Sequence, residues 1–322
     1  MHITRLALGT WVSIAAFTMS TAPAAWGQNY PVKPIRILTS EAGGGNDFIA
    51  RTLAQGLSPN LGQQVIVDNR SGNYVVGAVA AKAQADGYTL VVFSNVFWYG
   101  PLLESNAPYD PLRDFLTVSI TGTSPSVLVV TPSLPAKSTK ELIALAKAKP
   151  GELNYASGTT GTQAHLYAEL FKSMAGIDVV RVPFKGSGPA LSGLIAAQVQ
   201  MMIVTAASGS PHVQSGRLRG LAVTSLQPSV LFPDMPTIAA TLPGYETLSV
   251  AGVFVPAKTP RPVINRLNQE LVRYMSSSDA KEKFLRSGNE PVSSTPEEFT
   301  AIIKADMGKI GKVIKDSGLR VQ

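Results

Sequence analysis

The chain has 322 residues, 45% of them apolar, and its 28 Lys and Arg against 21 Asp and Glu give a formal net charge of +7. That length suits one large domain or two ordinary ones with substantial cores. The basic residues are dispersed, with no stripe interleaved with aromatics, which argues against nucleic acid as a partner. Cysteine is absent and there are only 3 histidines, which excludes disulfides, thiolate metal sites, a cysteine nucleophile and a lipid-anchored lipoprotein, and argues against a histidine-rich metal centre.

The first 27 residues read as a secretory signal: Arg5, an apolar stretch over Leu6–Met19 too short and broken to span a bilayer, and the small residues Ala25 and Gly27 before Gln28. Cleavage is expected there, leaving an exported, soluble chain, since no later segment is long and apolar enough to cross a membrane.

A strand is expected over Ile35–Leu38, followed by a loop from Ser40 through Glu41, Ala42, Gly43, Gly44 and Gly45, with Asn46 or Asp47 capping a helix whose apolar face carries Ile49, Leu53 and Leu57. Gly43 and Gly45 fit two positions of Gly-x-Gly-x-x-Gly, but Phe48 occupies the third, so this is not a dinucleotide fingerprint. A strand at Val65–Val67, a small-residue helix over Val76–Ala85 and a strand at Thr89–Phe93 complete the repeats, which predict a parallel sheet with helices on its faces. The segment Ser94–Tyr99 is read as a loop. Its Phe97, Trp98 and Tyr99 either line a ligand pocket at the carboxyl end of a strand or pack in a buried cluster.

Pro101–Asp114 is proline-rich and irregular, and Ser126–Thr131 reads as a buried strand. Ser138 and Glu141 make a capping box for the next helix. The stretch Leu153–Met174 then runs strand, glycine- and hydroxyl-rich turn (Ser157, Gly158, Thr159, Thr160, Gly161, Thr162) and helix, with Leu166, Leu170 and Met174 on the buried face. A helix N-terminus leaves backbone N–H groups without partners and carries partial positive charge, so this turn suits an anion. Thr160 and Gln163 also have capping-box spacing, which would make the turn merely a helix stop. Further strands are expected at Asp178–Val182, Gln200–Val204, Arg219–Thr224 and Val250–Val255, with a helix over Ala190–Ala197 preceded by Lys185, Gly186, Ser187 and Pro189. The last part is helical. Thr295 and Glu298 form a second capping box before a stripe of Phe299, Ile303, Met307, Ile310 and Ile314.

Over essentially the whole mature length the chain resembles the exported solute-binding proteins of tripartite tricarboxylate transporters, the Bug family. The resemblance rests on Tyr30–Arg36, Gly43-Gly44 with Asp47, Val67–Arg70, Ala85–Leu90, Pro108–Pro111, Tyr155–Gly158, Gly161-Thr162 with His165, Val182–Gly186, Leu218–Ser225 and Phe232–Thr237, in that order and spacing. It implies an α/β fold of two lobes, like a type II periplasmic binding protein. Residues 28–125 and 250–322 would form one lobe and 126–249 the other, with two crossings between them. It also implies a small carboxylate held in the cleft, with no cofactor and no catalysis. Carried over by position, Ser40, Glu41, Ala42, Gly43 and Asp47 would face the ligand from one lobe together with Asn95. Ser157, Gly158, Thr159, Thr162, His165, Lys185, Ser187, Thr205 and Ala206 would face it from the other. Implied partners are two integral membrane subunits of a transporter, or alternatively a membrane sensor kinase, served by a monomer.

Three departures from the family pattern bear on the ligand. Glu41-Ala42 stands where two prolines are common, and Glu41 either turns to solvent, the favoured reading, or would repel a carboxylate or meet a cationic group on the ligand. Gln200 and Val204 are uncharged where aspartates are common, which weakens the case for an amino-acid ligand. Asn73-Tyr74-Val75 with Phe97, Trp98 and Tyr99 would make the cleft more aromatic and admit an aromatic carboxylate. A hydrolase built on Ser157 and His165 is the rival reading. Against it, the chain has no Gly-x-Ser-x-Gly, P-loop or His-Glu-x-x-His, and no carboxylate placed to orient the histidine.

Overall fold

The computed structural model describes residues 30–71, 74–104 and 106–319. The expected export signal and Asn73 lie outside them. The chain opens with β1 (Ile35–Thr39), α1 (Gly45–Leu61), β2 (Val65–Asn69), α2 (Val75–Ala80) and β3 (Thr89–Ser94), and these three strands pair in parallel. β1 is buried at every position but Arg36, so from Ile37 onward both faces are covered, as in parallel strands flanked by helices.

After α3 (Val96–Leu103) comes β4 (Phe115–Val130), the longest strand and the one the two lobes share. Its first part pairs antiparallel with β9 (Leu248–Pro256), from Phe115↔Pro256 to Pro125↔Leu248. From Ser126 onward it pairs instead with β7 (Met201–Thr205) and β8 (Arg219–Val223). Register shifts at Thr117/Ser119 and Ile120/Gly122 mark bulges, which add local twist to the strand before it changes partners. The sheet runs β2-β1-β3-β9-β4-β7-β5-β6, with β5 (Asn154–Ser157) and β6 (Val180–Pro183) parallel at the far end. It is therefore mixed: parallel strands on both flanks, antiparallel strands through the middle where the chain crosses between lobes.

Helices α4 (Thr139–Ala148), α5 (Gln163–Ala175), α6 (Ser187–Ile195) and α7 (Ala206–Gln214) surround the second lobe, and α8 (Arg261–Met275) and α9 (Ser278–Arg286) complete the first. A two-residue strand, β10 (Glu290–Pro291), pairs with β4 before the chain ends in α10 (Pro296–Asp316). One apolar cluster packs α1, α8 and α9 on the first lobe, and another packs α6 on the second. The largest joins the lobes: Leu103 of α3, Leu166 and Leu170 of α5, and Ile310 and Ile314 of α10 belong to one continuous core.

Several local expectations need correction. Ser94–Tyr99 is not a loop: Asn95 starts α3, and Pro101 sits inside that helix. Neither Asn46 nor Asp47 is the N-cap of α1, which is Gly44. The helix expected from Ala190 starts earlier, at Ser187, so Ser187 and Pro189 lie inside α6 rather than before it. Met174 is 37% exposed, because the buried stripe of α5 runs through Leu166, Leu170 and Phe171 instead.

Candidate functional site

The turn between β5 and α5 is built around two side chains. Arg181, on the edge strand β6, donates from Nε to Ser157 Oγ (2.7 Å), from Nη1 to Thr160 Oγ1 (3.2 Å) and from Nη2 to the Gly158 carbonyl (2.9 Å). His165, 1% exposed in the first turn of α5, accepts the Gly161 N–H at Nδ1 (3.2 Å). Burial, and then the positive charge of Arg181, push the imidazole down to about 4, so it is neutral near pH 7. Gly161 has φ +83°, and a Cβ there would lie 2.6 Å from Leu103 Cδ1 across the lobe junction. The positive φ favours glycine, and a side chain there would also require Leu103 to move.

Thr160 and Gln163 do not form a capping box. The N-cap is Thr162, whose hydroxyl donates to the Thr159 carbonyl (2.9 Å) and caps no N–H. The same holds at α6, which starts after Gly186, and at α7, which starts after Thr205: neither has a side-chain cap. Of the other helices, α4, α9 and α10 are capped by Ser138, Ser277 and the Thr295–Glu298 box, whereas α1, α2, α3 and α8 also lack a side-chain cap.

The uncapped ends of α5, α6 and α7, with the first residue of α3, meet at one cavity of about 230 Å³. Thr162, Ser187, Thr205 and Ser208 bring hydroxyls to its wall, and Val96, Met202 and Val204 give it an apolar floor. No charged side chain lines it. Free N–H groups and helix dipoles are therefore its source of positive potential. A Cβ on Gly158 would lie 3.3 Å from Thr162 Cγ2 and 3.5 Å from the Gly186 carbonyl carbon, so the 158 turn and the 186 turn touch. Thr159 and Lys185 are exposed beside them. Ala206 is buried in the first turn of α7 and lines a neighbouring groove of about 360 Å³ with Ala207 and Gly288.

Other expected site residues have different work. Asp47 is buried, and its carboxylate accepts from Gly43 N (2.8 Å), Arg51 Nε (3.0 Å) and Asn69 Nδ2 (2.8 Å). Burial pushes this carboxyl up, but the bonds from Arg51, Gly43 and Asn69 outweigh it and hold it below the usual range. Asp47 thus fixes the shape of the 40–47 loop, leaving Glu41, Ala42 and Gly43 exposed and Ser40 half-buried. None of those four lines the 230 Å³ cavity, and neither do Ser157, Gly158, Thr159, His165, Lys185 and Ala206, which lie beside it.

Asn95 is fully buried and spends its amide inside the protein. It donates to Tyr99 Oη, the Leu248 carbonyl and Asp306 Oδ2, and accepts from Gln163 Nε2 and Val250 N. It ties the lobes together rather than facing a ligand. Phe97, Trp98 and Tyr99 are at most 2% exposed: Phe97 stacks on Tyr109, and Trp98 packs edge-on to Phe299. They form core, not an aromatic cleft wall. Ser157 is likewise buried, with its hydroxyl donating to the Gly158 carbonyl and accepting from Arg181, while His165 bonds Gly161. Each is committed elsewhere, and they do not act as nucleophile and base.

A larger groove of about 450 Å³ lies between α8 and α10, but most of its polar side chains, Lys304 excepted, already have partners within the protein. Thr117 and Thr300 bond the Pro296 carbonyl, Thr259 bonds that of Pro256, and Arg261 pairs with Glu297. Among the described residues no cluster of His, Asp or Glu is arranged to hold a metal, and no helix is long and apolar enough to cross a membrane.

Comparison with known proteins identifies the family and the fold. Residues 49–319 match the family model described as the tripartite tricarboxylate transporter family receptor. The chain is 36% identical over 304 residues to the UPF0065 protein of the tcbD-tcbE intergenic region of Pseudomonas sp. strain P51, covering 93% of this chain and 90% of that protein. It is also 36% identical to protein BugT of Bordetella pertussis, with both chains fully covered. Among solved structures it superposes on R. palustris Rpa4515 with adipate at a TM-score of 0.75, with 33% identity over 90% of this chain and 99% of that one. The periplasmic binding protein BugD gives a TM-score of 0.72 and 27% identity, covering 91% of this chain and 100% of BugD.

Proposed function

Because the chain belongs to the tripartite tricarboxylate transporter receptor family, a family of solute-binding receptors and not of enzymes, we propose that it is an exported protein that captures an aliphatic dicarboxylate between its lobes and delivers it to the membrane subunits of such a transporter. The observation that carries the ligand class is the convergence of uncapped helix N-termini and hydroxyls on a cavity with no charged side chain. An anion satisfies those donors. A cation finds no counter-charge there, and a neutral apolar solute would leave the N–H groups desolvated. The adipate complex of Rpa4515 supports a dicarboxylate of that kind. The burial of Phe97, Trp98 and Tyr99 removes the reason for an aromatic one.

A hydrogen bond to a charged group contributes about 1.5–3 kcal/mol, so several of them reach about −8 kcal/mol, micromolar binding, after the cost of association. The exposed loop Ser40–Gly43 belongs to the opposite lobe and would close on the second carboxylate. The bending points of that closure are the crossings near Pro125–Ser126 and Thr247–Leu248. There the Thr224 hydroxyl accepts from Ser126 N (2.8 Å) and donates to the Thr247 carbonyl (2.7 Å). Residues 1–27 act as the export signal, and the mature receptor works as a monomer in the periplasm.

Thermal-shift titration of the mature protein with succinate, adipate, citrate, glutamate and benzoate tests this. At a hundredfold excess over Kd, a bound dicarboxylate stabilises by about 2.7 kcal/mol, and the compound is recovered unchanged. If no carboxylate shifts the transition, or if one is consumed, the proposal is wrong.

A further inference from the structure

We infer that Arg181 is a positioning residue for the ligand: from the edge strand β6, without touching the cleft, it turns the backbone of Ser157–Thr160 so that three consecutive amides face the bound carboxylate. The inference rests on the reading of the cleft as a carboxylate site.

The orientation follows from peptide geometry. In a trans peptide the C=O and the following N–H point to opposite sides, and Tyr30–Pro31 is the one cis bond among the described residues. The Ser157 carbonyl accepts from Phe184 N (2.9 Å), on the β6 side of β5. The Gly158 N–H is thereby directed to the other side, toward β7 and the start of α7. The Gly158 carbonyl accepts from Arg181 Nη2 (2.9 Å), so the Thr159 N–H points away from the guanidinium. The Thr159 carbonyl accepts from the Thr162 N–H (3.3 Å) and hydroxyl (2.9 Å), so the Thr160 N–H points away from the helix start. All three carbonyls of this run are thus bonded. Among the described residues none of the three amide hydrogens has an acceptor, whereas the next two amides, Gly161 and Thr162, are bonded within the turn. The turn is rectified: acceptors inward, donors outward.

Arginine suits this role. Its planar fork reaches Ser157, Gly158 and Thr160 from a single side chain, which a lysine ammonium cannot match. Its charge is not cancelled by a carboxylate, because nearby Glu169 is paired with Lys172 (2.9 Å), and Arg181 takes part in none of the ion pairs among the described residues. The guanidinium therefore also adds positive potential behind the turn.

The test is an amide NMR titration of the wild type, Arg181→Lys and Arg181→Gln with adipate, alongside calorimetric Kd values and circular dichroism of each apo protein. In the wild type the amide protons of Gly158, Thr159 and Thr160 move downfield on adding adipate. In both variants Kd rises at least tenfold and those three shifts shrink, while the amides of Ser187 and Ala206 still respond. A merely structural arginine would lower the melting temperature without erasing the response of these three amides selectively. A folded variant that binds adipate within twofold of the wild type, or wild-type amides at 158–160 that ignore bound adipate, overturns the inference. If Arg181→Gln does not fold, the charge-conserving variant and the wild-type amides still decide it. If the wild type binds none of succinate, adipate or citrate, the carboxylate reading itself falls and takes this role with it; binding with unaffected variants removes the role of Arg181 alone.

Discussion

At the scale of single residues, the second lobe's turn depends on groups chosen for what they cannot do. His165 sits where a protonated imidazole would face the guanidinium of Arg181 with little water to screen it, and its Nδ1 must remain an acceptor for Gly161. The folded protein therefore holds this histidine neutral down to about 4, against an ordinary value of 6.5 in the unfolded chain. Between those values the unfolded state binds the extra proton, so stability falls as the pH drops from about 6.5 toward 4 and is fully present above 6.5. Carboxylates such as Asp47, held low by their partners, lose their contribution further down. The expected outcome is a melting temperature that declines more steeply for the wild type than for His165→Asn across that window. The asparagine side-chain oxygen can still accept the Gly161 N–H but does not titrate. Parallel slopes in calorimetry at closely spaced pH values would show that His165 is not held neutral. The sequence singles out His165 by its place near a helix start, but as a ligand contact. Its actual partner is four residues back, and the residue that makes its charge costly lies on another strand. Nothing in the local spacing announces Arg181, since its three bonds exist only once β5 and β6 are side by side.

At the scale of elements, the helices divide by what holds their first turns. Thr295 accepts from Glu298 N (3.2 Å) while Glu298 returns a carboxylate to Thr295 N (2.8 Å). Thr295→Ala should therefore cost about 1 kcal/mol of global stability and leave carboxylate affinity unchanged. Thr162 occupies the same position on α5 but bonds backward to the Thr159 carbonyl. Thr162→Ala should cost less stability than Thr295→Ala yet weaken carboxylate binding several-fold, because it removes a hydroxyl from the cavity wall. Urea melts and titrations of the two variants separate these effects, and equal losses of affinity would contradict the division. Capping boxes are readable in the sequence because their partners lie three residues apart: the one read at α10 is complete, while at α4 Ser138 caps Glu141 N but the Glu141 carboxylate accepts from Lys137 N instead of closing the box. Two helices escape that reading. α3 follows a strand directly, carries Pro101 and is apolar almost throughout, so it shows no amphipathic period, and α7 hides among small residues with Pro211 inside it. The first part of β4 is equally hidden, since Thr117, Ser119 and Thr121 alternate with apolar residues yet are themselves buried, bonding Pro296, Ser294 and Ala251 from neighbouring segments.

At the scale of the whole molecule, the two lobes share more than a pair of crossing strands. The C-terminal helix α10 packs on α3 of the first lobe and on α5 of the second, and its apolar stripe belongs to the core that holds Leu103, Leu166 and Leu170. Asp306 on the same helix accepts from Trp98 Nε1 (2.8 Å) and Asn95 Nδ2 (3.2 Å), and Asn95 in turn accepts from Gln163, on the cavity wall. The two lobes therefore cannot unfold independently without exposing apolar surface on both sides, and heating the apo protein should give one cooperative transition in which calorimetric and van't Hoff enthalpies agree. Ile310, fully buried in α10, tests how far that unity depends on the helix. Removing its side chain leaves a cavity in the shared core, so Ile310→Ala should cost about 2–5 kcal/mol. Because the loss falls where α10 joins α3 and α5, the transition should also broaden or split as the lobes uncouple. A mutation of the same chemistry in one lobe's private core, Leu53→Ala under α1, should lower stability comparably while the transition stays single. Differential scanning calorimetry of the two variants distinguishes the cases. A sharp two-state transition in Ile310→Ala would mean that the crossings by β4 and β9 alone bind the lobes into one unit, with α10 an ordinary surface helix.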